Sequence, residues 1–209
     1  MIELYTHGTA NGRKASIMLE ETGLPYETHV IDILSGEQFN EDFKRLNPNS
    51  KIPVIVDRDG PDGKSHTVFE SGAILWYLAE KSNSPLLPAD YSARCNVHQW
   101  LMFQMSNIGP MFGQYHHFFS HAPENVPYGI NRYRKEVERL YEVLDSQLSK
   151  TTYLCGLDYT IADLATFTWI ARFEDPQIDL GIGERANVRR WFDAVSARPA
   201  VQRGMNIPV

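Results

Sequence analysis

Pro53 stands immediately ahead of the run Val54-Ile55-Val56, and no other residue restricts the fold of this chain as much. Proline lacks an N–H, so it cannot sit inside a β ladder and belongs at the first residue of a strand or on an edge. The run therefore reads as a strand that opens at Pro53, with Lys51-Ile52 as its approach. Only about 5–6% of X-Pro bonds in folded proteins are cis, so a trans entrance is the default. A cis bond would turn the Ile52 backbone outward, offering its N–H and C=O to an extended peptide as an added strand.

Further on, Phe69-Glu70-Ser71-Gly72 leads into Ala73-Ile74-Leu75-Trp76-Tyr77-Leu78-Ala79-Glu80-Lys81, apolar at helical spacing. Ser71 is a good N-cap for a helix over 72–81. Beside that structural use stands a chemical one: a helix N-terminus binds an anion through its free N–H groups, and Glu70 is placed to pair with an amine. Together the two segments suit a small zwitterionic peptide.

The rest of the first half supplies a frame. Ile2–Thr6 reads as a short buried strand, 12–22 as an amphipathic helix ended by Gly23, and 26–32 as a strand, a βαβ opening that implies a parallel pair. A helix is expected over 38–46. Strands at Val54–Asp57 and His66–Phe69 are joined by a segment whose Asp-Gly pairs favour a hairpin. This order, βαβ, α, ββα, is that of a thioredoxin-like domain. Ser82-Asn83-Ser84-Pro85-Leu86-Leu87-Pro88 reads as a linker.

Beyond it the pattern is helical: one long helix over 92–117 bent or ended by Pro110, then 128–149, Ile161–Arg172 and 188–197. The expected division is a thioredoxin-like domain over 1–82, a linker over 83–88 and an all-helical domain over 89–209, an α/β plus all-α chain. Thr160 with Asp163 makes a capping-box start, with Tyr159 and Leu164 as its apolar staple.

With 209 residues, 43% of them hydrophobic, the chain can bury a sizeable core in one or two domains. A formal charge of −6 argues against nucleic-acid or anionic-membrane partners, which need a basic face. Local positive charge for an anionic ligand would come from Arg13, Lys14, Lys51 or Arg132, each by default a solvated surface cation. Cys95 and Cys155 show no CxxC or metal-ligand spacing and suit a reducing compartment. The start runs straight into a strand and no apolar run reaches membrane length, so the expected location is the cytoplasm.

Lys51-Ile52-Pro53-Val54 and Glu70-Ser71 resemble the glutathione site of the thioredoxin-like domain of glutathione transferases, and the likeness extends over essentially the whole chain. Thr9-Ala10-Asn11-Gly12, the run from Gly109-Pro110-Met111-Phe112 to His116-His117-Phe118, and Arg132-Tyr133 resemble the nu class of that family. That class, related to fungal nitrogen-regulatory transferase-like proteins, is associated with glutathione-dependent disulfide reduction. The order and spacing of the motifs carry the likeness. It implies an all-helical transferase C-terminal domain, a homodimer, and no prosthetic group or metal. Glutathione would be the substrate, as one or two molecules or in its oxidised form, together with a small disulfide or electrophile. It further implies that Gln38, Lys51 and the Ile52 backbone beside Pro53 hold the glycyl and cysteinyl parts. Glu70 and Ser71 would hold the γ-glutamyl part and Arg132 a carboxylate. Ala10 departs from the class, where proline often stands between Thr and Asn.

Thiol oxidoreductases of this fold carry a cysteine between the first strand and first helix, yet His7-Gly8-Thr9-Ala10-Asn11-Gly12-Arg13 has none. Any reacting thiol must arrive with the substrate. Thr9 offers a hydroxyl and Asn11 an amide NH₂, both donors, at a helix N-terminus whose dipole favours a thiolate. From the residues alone Asn11 is equally well a helix cap; the resemblance implies Asn11 as the main sulfur-stabilising donor and Thr9 as its helper. Tyr5, inside the strand, is the poorer candidate. Two rival functions remain, conjugation of glutathione to apolar electrophiles and a non-enzymatic regulatory module. His117 and His121, four apart, could share a helix face, but without an HExxH pattern or nearby cysteine the metal reading is weak. Trp100, Phe103 and Tyr133 read either as interface aromatics or as core.

Overall fold

Alternation of buried residues at Ile2, Leu4 and Thr6 makes Ile2–Thr6 a strand, β1, with one face turned to the core. In the computed structural model, which describes residues 1–173 and 184–208, β1 pairs in parallel with β2 (Tyr26–Val30) and antiparallel with β3 (Val54–Asp57). β3 pairs antiparallel with β4 (His66–Phe69), giving the order β2-β1-β3-β4. All four residues of β3 are buried. β2 stops at Val30, short of the expected 26–32, because the Asp32 carboxylate accepts the Leu34 and Ser35 N–H groups at 2.9 and 3.3 Å, an Asx turn that leaves the ladder.

The register decides where the loops gather. Thr6 lies opposite Val30, Tyr5 opposite Val54, and Val54 opposite Phe69. The C-terminal ends of β1, β2 and β4 and the N-terminal end of β3 therefore share one end of the sheet. The segments leaving there carry Thr9 and Asn11, Gln38, Lys51 to Pro53, and Glu70 with Ser71. The Ile52–Pro53 bond is cis, as is Ile207–Pro208. Both ladders begin at Val54, so Pro53 stands ahead of the strand and the Ile52 N–H and C=O lie outside the pairing.

Helix α1 (Ala10–Thr22) begins earlier than the expected 12–22 because Thr9 caps it, and Gly23 at φ 65° ends it with its N–H on Leu19 O at 2.9 Å. The helix expected over 38–46 is a 3₁₀ turn at Glu37–Phe39 and a short α2 (Glu41–Leu46), separated by Asn40 in extended geometry. α3 (Ser71–Lys81) packs against α1, as does a helix that the pattern gave no sign of, the C-terminal segment Pro199–Met205. A Cβ on Gly204 would lie 2.5 Å from Ile17 Cα, and Ser16 Oγ donates to Gly204 O at 2.7 Å. Accordingly the chain divides into Met1–Leu87 with Ala197–Val209, and Pro88–Ser196. That division differs from a helical domain over 89–209, and Leu86 and Leu87 in the expected linker are buried.

The second unit holds α4 (Tyr91–Phe103), α5 (Gly109–His116), α6 (Pro127–Leu148), α7 (Ile161–Arg172) and α8 (Ala186–Ser196); Pro199–Met205, α9, belongs to the first. The single helix expected over 92–117 is interrupted by a π turn at Gln104–Ile108, where Gly109 N–H bonds Gln104 O. Pro110 follows, with no N–H to continue an α ladder. A second π turn, His117–His121, extends α5. The core includes Phe112 with Tyr141 and Phe173, ring centroids 5.2 and 4.9 Å apart. Trp100 is buried and edge-on to Phe103 at 5.3 Å, so it belongs to this core. Among the described residues no helix is long and apolar enough to cross a membrane.

Candidate functional site

The first turn of α1 is arranged by its cap. Thr9 Oγ1 accepts the Gly12 N–H at 3.0 Å, which leaves the hydroxyl proton of Thr9 to be donated elsewhere. The cap is thus Thr9 and not Asn11, which lies in the first turn and is half-buried. Gly12 has to be glycine, since a Cβ there would lie 2.1 Å from His7 O and 2.5 Å from Thr6 Oγ1. The first loop is therefore pressed onto the helix start, with Thr9 and Asn11 at the positive end of the dipole. Tyr5 is spent within the sheet, donating to Glu3 Oε2 at 3.0 Å and stacking on His29 at 4.7 Å.

The approach to Pro53 is built by a residue that the sequence did not single out. Buried Asn47 donates from Nδ2 to Lys51 O at 2.7 Å, while its Oδ1 accepts Asn49 N–H at 2.9 Å and its own O accepts Ser50 N–H at 2.9 Å. These bonds fix 47–51 as a compact turn with Ser50 at φ 54°, and Lys51 extends from it exposed. Gln38 is half-buried in its 3₁₀ turn; Nε2 donates to Ile33 O at 3.2 Å, and Oε1 is buried without a partner among the described residues.

At the start of α3 the N-cap position lies one residue earlier than expected. Glu70, exposed and at φ 71°, ψ 117°, occupies the N-cap position without a capping bond, and Ser71 is the first helical residue. That backbone lies outside the regions open to L-residues and costs of order 1–3 kcal/mol, the kind of strain found at ligand clamps. Ser71 is buried and accepts from Lys14 Nζ at 3.3 Å. Lys14, by default a surface cation, is 1% exposed. Burial lowers its ammonium to about 7, against which Glu70 pulls upward.

Arg132 belongs to the second unit, exposed on α6. With Met111, Tyr128, Tyr133 and Arg139 it lines an open cavity of about 760 Å³. Of the two cysteines, both in this unit, Cys95 is exposed and Cys155 is pushed by burial up to about 12, too high for a thiolate. The histidine pairing is also shifted. His116, not His117, meets His121, rings 4.5 Å apart, because the π turn brings residues five apart together. Burial, then Arg172 and His121, lower His116 to about 4. No cluster of three metal-ligating side chains occurs among the described residues.

A mixed four-stranded sheet that gathers a proline-led strand, an acid-hydroxyl helix start and a cysteine-free first loop at one end, followed by a helical unit, defines a class of proteins with the glutathione transferase fold. The sequence matches the family models for the glutathione S-transferase N-terminal domain over residues 10–81 and the C-terminal domain over residues 110–199. The chain belongs to the glutathione S-transferase family. It is 41% identical over 206 residues to the disulfide-bond oxidoreductase YfcG of Escherichia coli K12, covering 98% of this chain and 94% of that one. A glutathione transferase from Burkholderia graminis, solved with two glutathione molecules per subunit, superposes with a TM-score of 0.95 at 45% identity, covering 99% of this chain and 88% of that one. One from Pseudomonas putida, solved with one glutathione disulfide per subunit, gives 0.94 at 42% identity, covering 100% and 92%.

Proposed function

We propose that this chain is a glutathione-dependent disulfide reductase of the nu-class type. The observation that carries the reading is the convergence of Thr9, Asn11, Ile52 and Ser71 at one end of a sheet whose unit contains no cysteine. Relatives named as a disulfide-bond oxidoreductase, and one holding glutathione disulfide, support it. In this reading Asn11 and Thr9 donate to the glutathione sulfur. The Ile52 backbone pairs with the cysteinyl part, Gln38 and Lys51 hold the glycyl end, Glu70 takes the α-ammonium and Ser71 the α-carboxylate.

The thiolate attacks the substrate disulfide, forming a mixed disulfide and releasing one substrate thiolate. A second glutathione thiolate then attacks the glutathione sulfur of that mixed disulfide, releasing the other substrate thiolate. Two glutathione thiols are oxidised to one disulfide while the substrate takes up the electron pair. Lowering a thiol from about 8.5 to about 6.5 raises its thiolate fraction at pH 7 roughly 25-fold, but lost nucleophilicity leaves a net gain of about threefold. Placement of the second sulfur in line with the first must supply most of the rate.

Turnover on a small dialkyl disulfide, compared with an aryl halide, tests this. The disulfide should be the better substrate, with Asn11→Ala reducing its kcat/KM by about 10-fold or more. Faster turnover of the aryl halide would make the protein a conjugating transferase. The same proposal includes a cytoplasmic homodimer, with exposed Met102 and Tyr128 on the helical unit as candidate contact residues. Light scattering should give twice the chain mass.

A further inference from the structure

Lys14 is a buried charged group that disulfide exchange leaves unused. Its side chain runs from α1 to the first residue of α3, ending 3.3 Å from Ser71 Oγ with both side chains buried. An ammonium is a donor only, so it obliges the hydroxyl it touches to accept; the hydroxyl's own proton then has to be donated away from the lysine. A neutral amine imposes no such direction, because it can accept that proton itself. We infer that Lys14 is a positioning residue of the glutathione site: its buried ammonium turns the Ser71 hydroxyl outward as a donor to the α-carboxylate of the γ-glutamyl end. The inference rests on the glutathione reading and deepens it.

The surroundings favour this use. An ammonium next to the N-terminus of α3 faces the positive end of a helix dipole, an arrangement that improves when an anion arrives. Burial lowers the ammonium to about 7 and Glu70 raises it. Several charges on α1 and on the elements packed against it are committed elsewhere. Glu20 and Glu21, at the far end of α1, are held by Arg203 of α9 and Arg198 just before it. On β1, Glu3 is held by Arg58, and on α3 Lys81 pairs with Asp57. Glu70 raises the Lys14 ammonium in the free site, and an incoming carboxylate would raise it further. Binding of that carboxylate should draw a proton onto Lys14 wherever the free site has begun to lose it.

The test uses the full chain and S-methylglutathione, which has no thiol to titrate, alongside the S-methyl analogue whose γ-glutamyl unit is replaced by 4-aminobutanoyl and so lacks the α-carboxylate. For the wild type, removing the carboxylate should weaken binding in calorimetry by roughly 10- to 100-fold. In Lys14→Met that difference should shrink to within about threefold, with affinity for S-methylglutathione itself reduced and kcat on a disulfide retained as KM for glutathione rises. Between pH 6.5 and 8.5 the wild type should lose affinity more steeply than Lys14→Met, by up to about tenfold per pH unit, since both share the ligand's own titration. If the wild type binds and the carboxylate effect and pH slope are the same in both proteins, Lys14 is structural and this inference fails alone. If the wild type binds neither ligand, the glutathione reading fails and takes the inference with it.

Discussion

A buried ammonium carries a free-energy signature independent of any ligand. In the unfolded chain Lys14 holds its proton to about 10.4, whereas in the folded protein burial releases it at about 7. Between those values the unfolded state binds the extra proton, so stability rises with pH across that window and is lowest, and flat, below it. The ammonium therefore costs the empty protein about 4 kcal/mol at neutral pH. Lys14→Met should raise unfolding free energy at pH 7 by about 2–4 kcal/mol, an advantage that fades as the pH approaches 10. Denaturant titrations at pH 7 and 9.5 measure this, and a destabilised variant at pH 7 would contradict the burial penalty. The sequence shows a lysine in the second turn of a helix but not that α3 lies over it, because the contact joins residues 57 positions apart. The positions of Thr9, Asn11, Ile52 and Ser71 at element boundaries were legible for the opposite reason, since each stands beside a local signal, a helix start or a strand-opening proline. The shift of the N-cap position from Ser71 to Glu70 was not, because it depends on a backbone angle at Glu70 that a glutamate does not ordinarily adopt.

Elements with a strong local cause have the boundaries the pattern predicts. β1, β3 and β4 are bounded by turn residues, and α7 by its capping box, and all four match the expected residues. Local hydrogen bonds that periodicity does not display displaced the others, as at the Asp32 turn and the Thr9 cap. The long helix over 92–117 gives way to two α segments and π turns because a proline and a buried Gln104 rearrange its ladder, and α9 is too short for periodicity to reveal. The cap of α7 also reaches further than a cap must. Asp163 accepts Thr160 N–H at 3.0 Å to complete the box, and also Leu154 N–H at 2.8 Å and Trp191 Nε1–H at 2.9 Å. One carboxylate thus ties the loop before α7 and the packing of α8 to the start of α7. A cap alone is worth about 1 kcal/mol, while stranding several buried donors raises the cost, so Asp163→Ala should lose about 3–5 kcal/mol. Chemical denaturation gives the value directly; a loss near 1 kcal/mol would reduce Asp163 to an ordinary cap.

At the scale of the whole chain, the unit that carries the proposed site is discontinuous, closed by residues from the far end of the sequence. α9 covers α1 with Val201 and Ala200 buried and Gly204 against Ile17. Arg198 holds Glu21 through two bonds at 2.7 and 2.9 Å, and Ser16 ties the helices together. α1 is also the helix that presents Thr9 and Asn11 at one end and Lys14 along its side, so the last residues of the chain brace the element on which sulfur binding is proposed to depend. Burial of Val201 alone is worth about 1.5–3 kcal/mol, and the exposed Arg203 pair adds little. Removing residues 197–209 should then cost the first unit about 2–4 kcal/mol and weaken glutathione binding, though none of the deleted residues is assigned a contact with the ligand. Saturating glutathione would restore part of the loss, since a ligand at about 100 times its Kd stabilises the folded form by about 2.7 kcal/mol. Thermal unfolding of the truncated chain with and without glutathione separates these effects. An unchanged midpoint and unchanged affinity would show that the sheet unit is complete at Leu87 and that α9 is an ornament on α1 rather than its support.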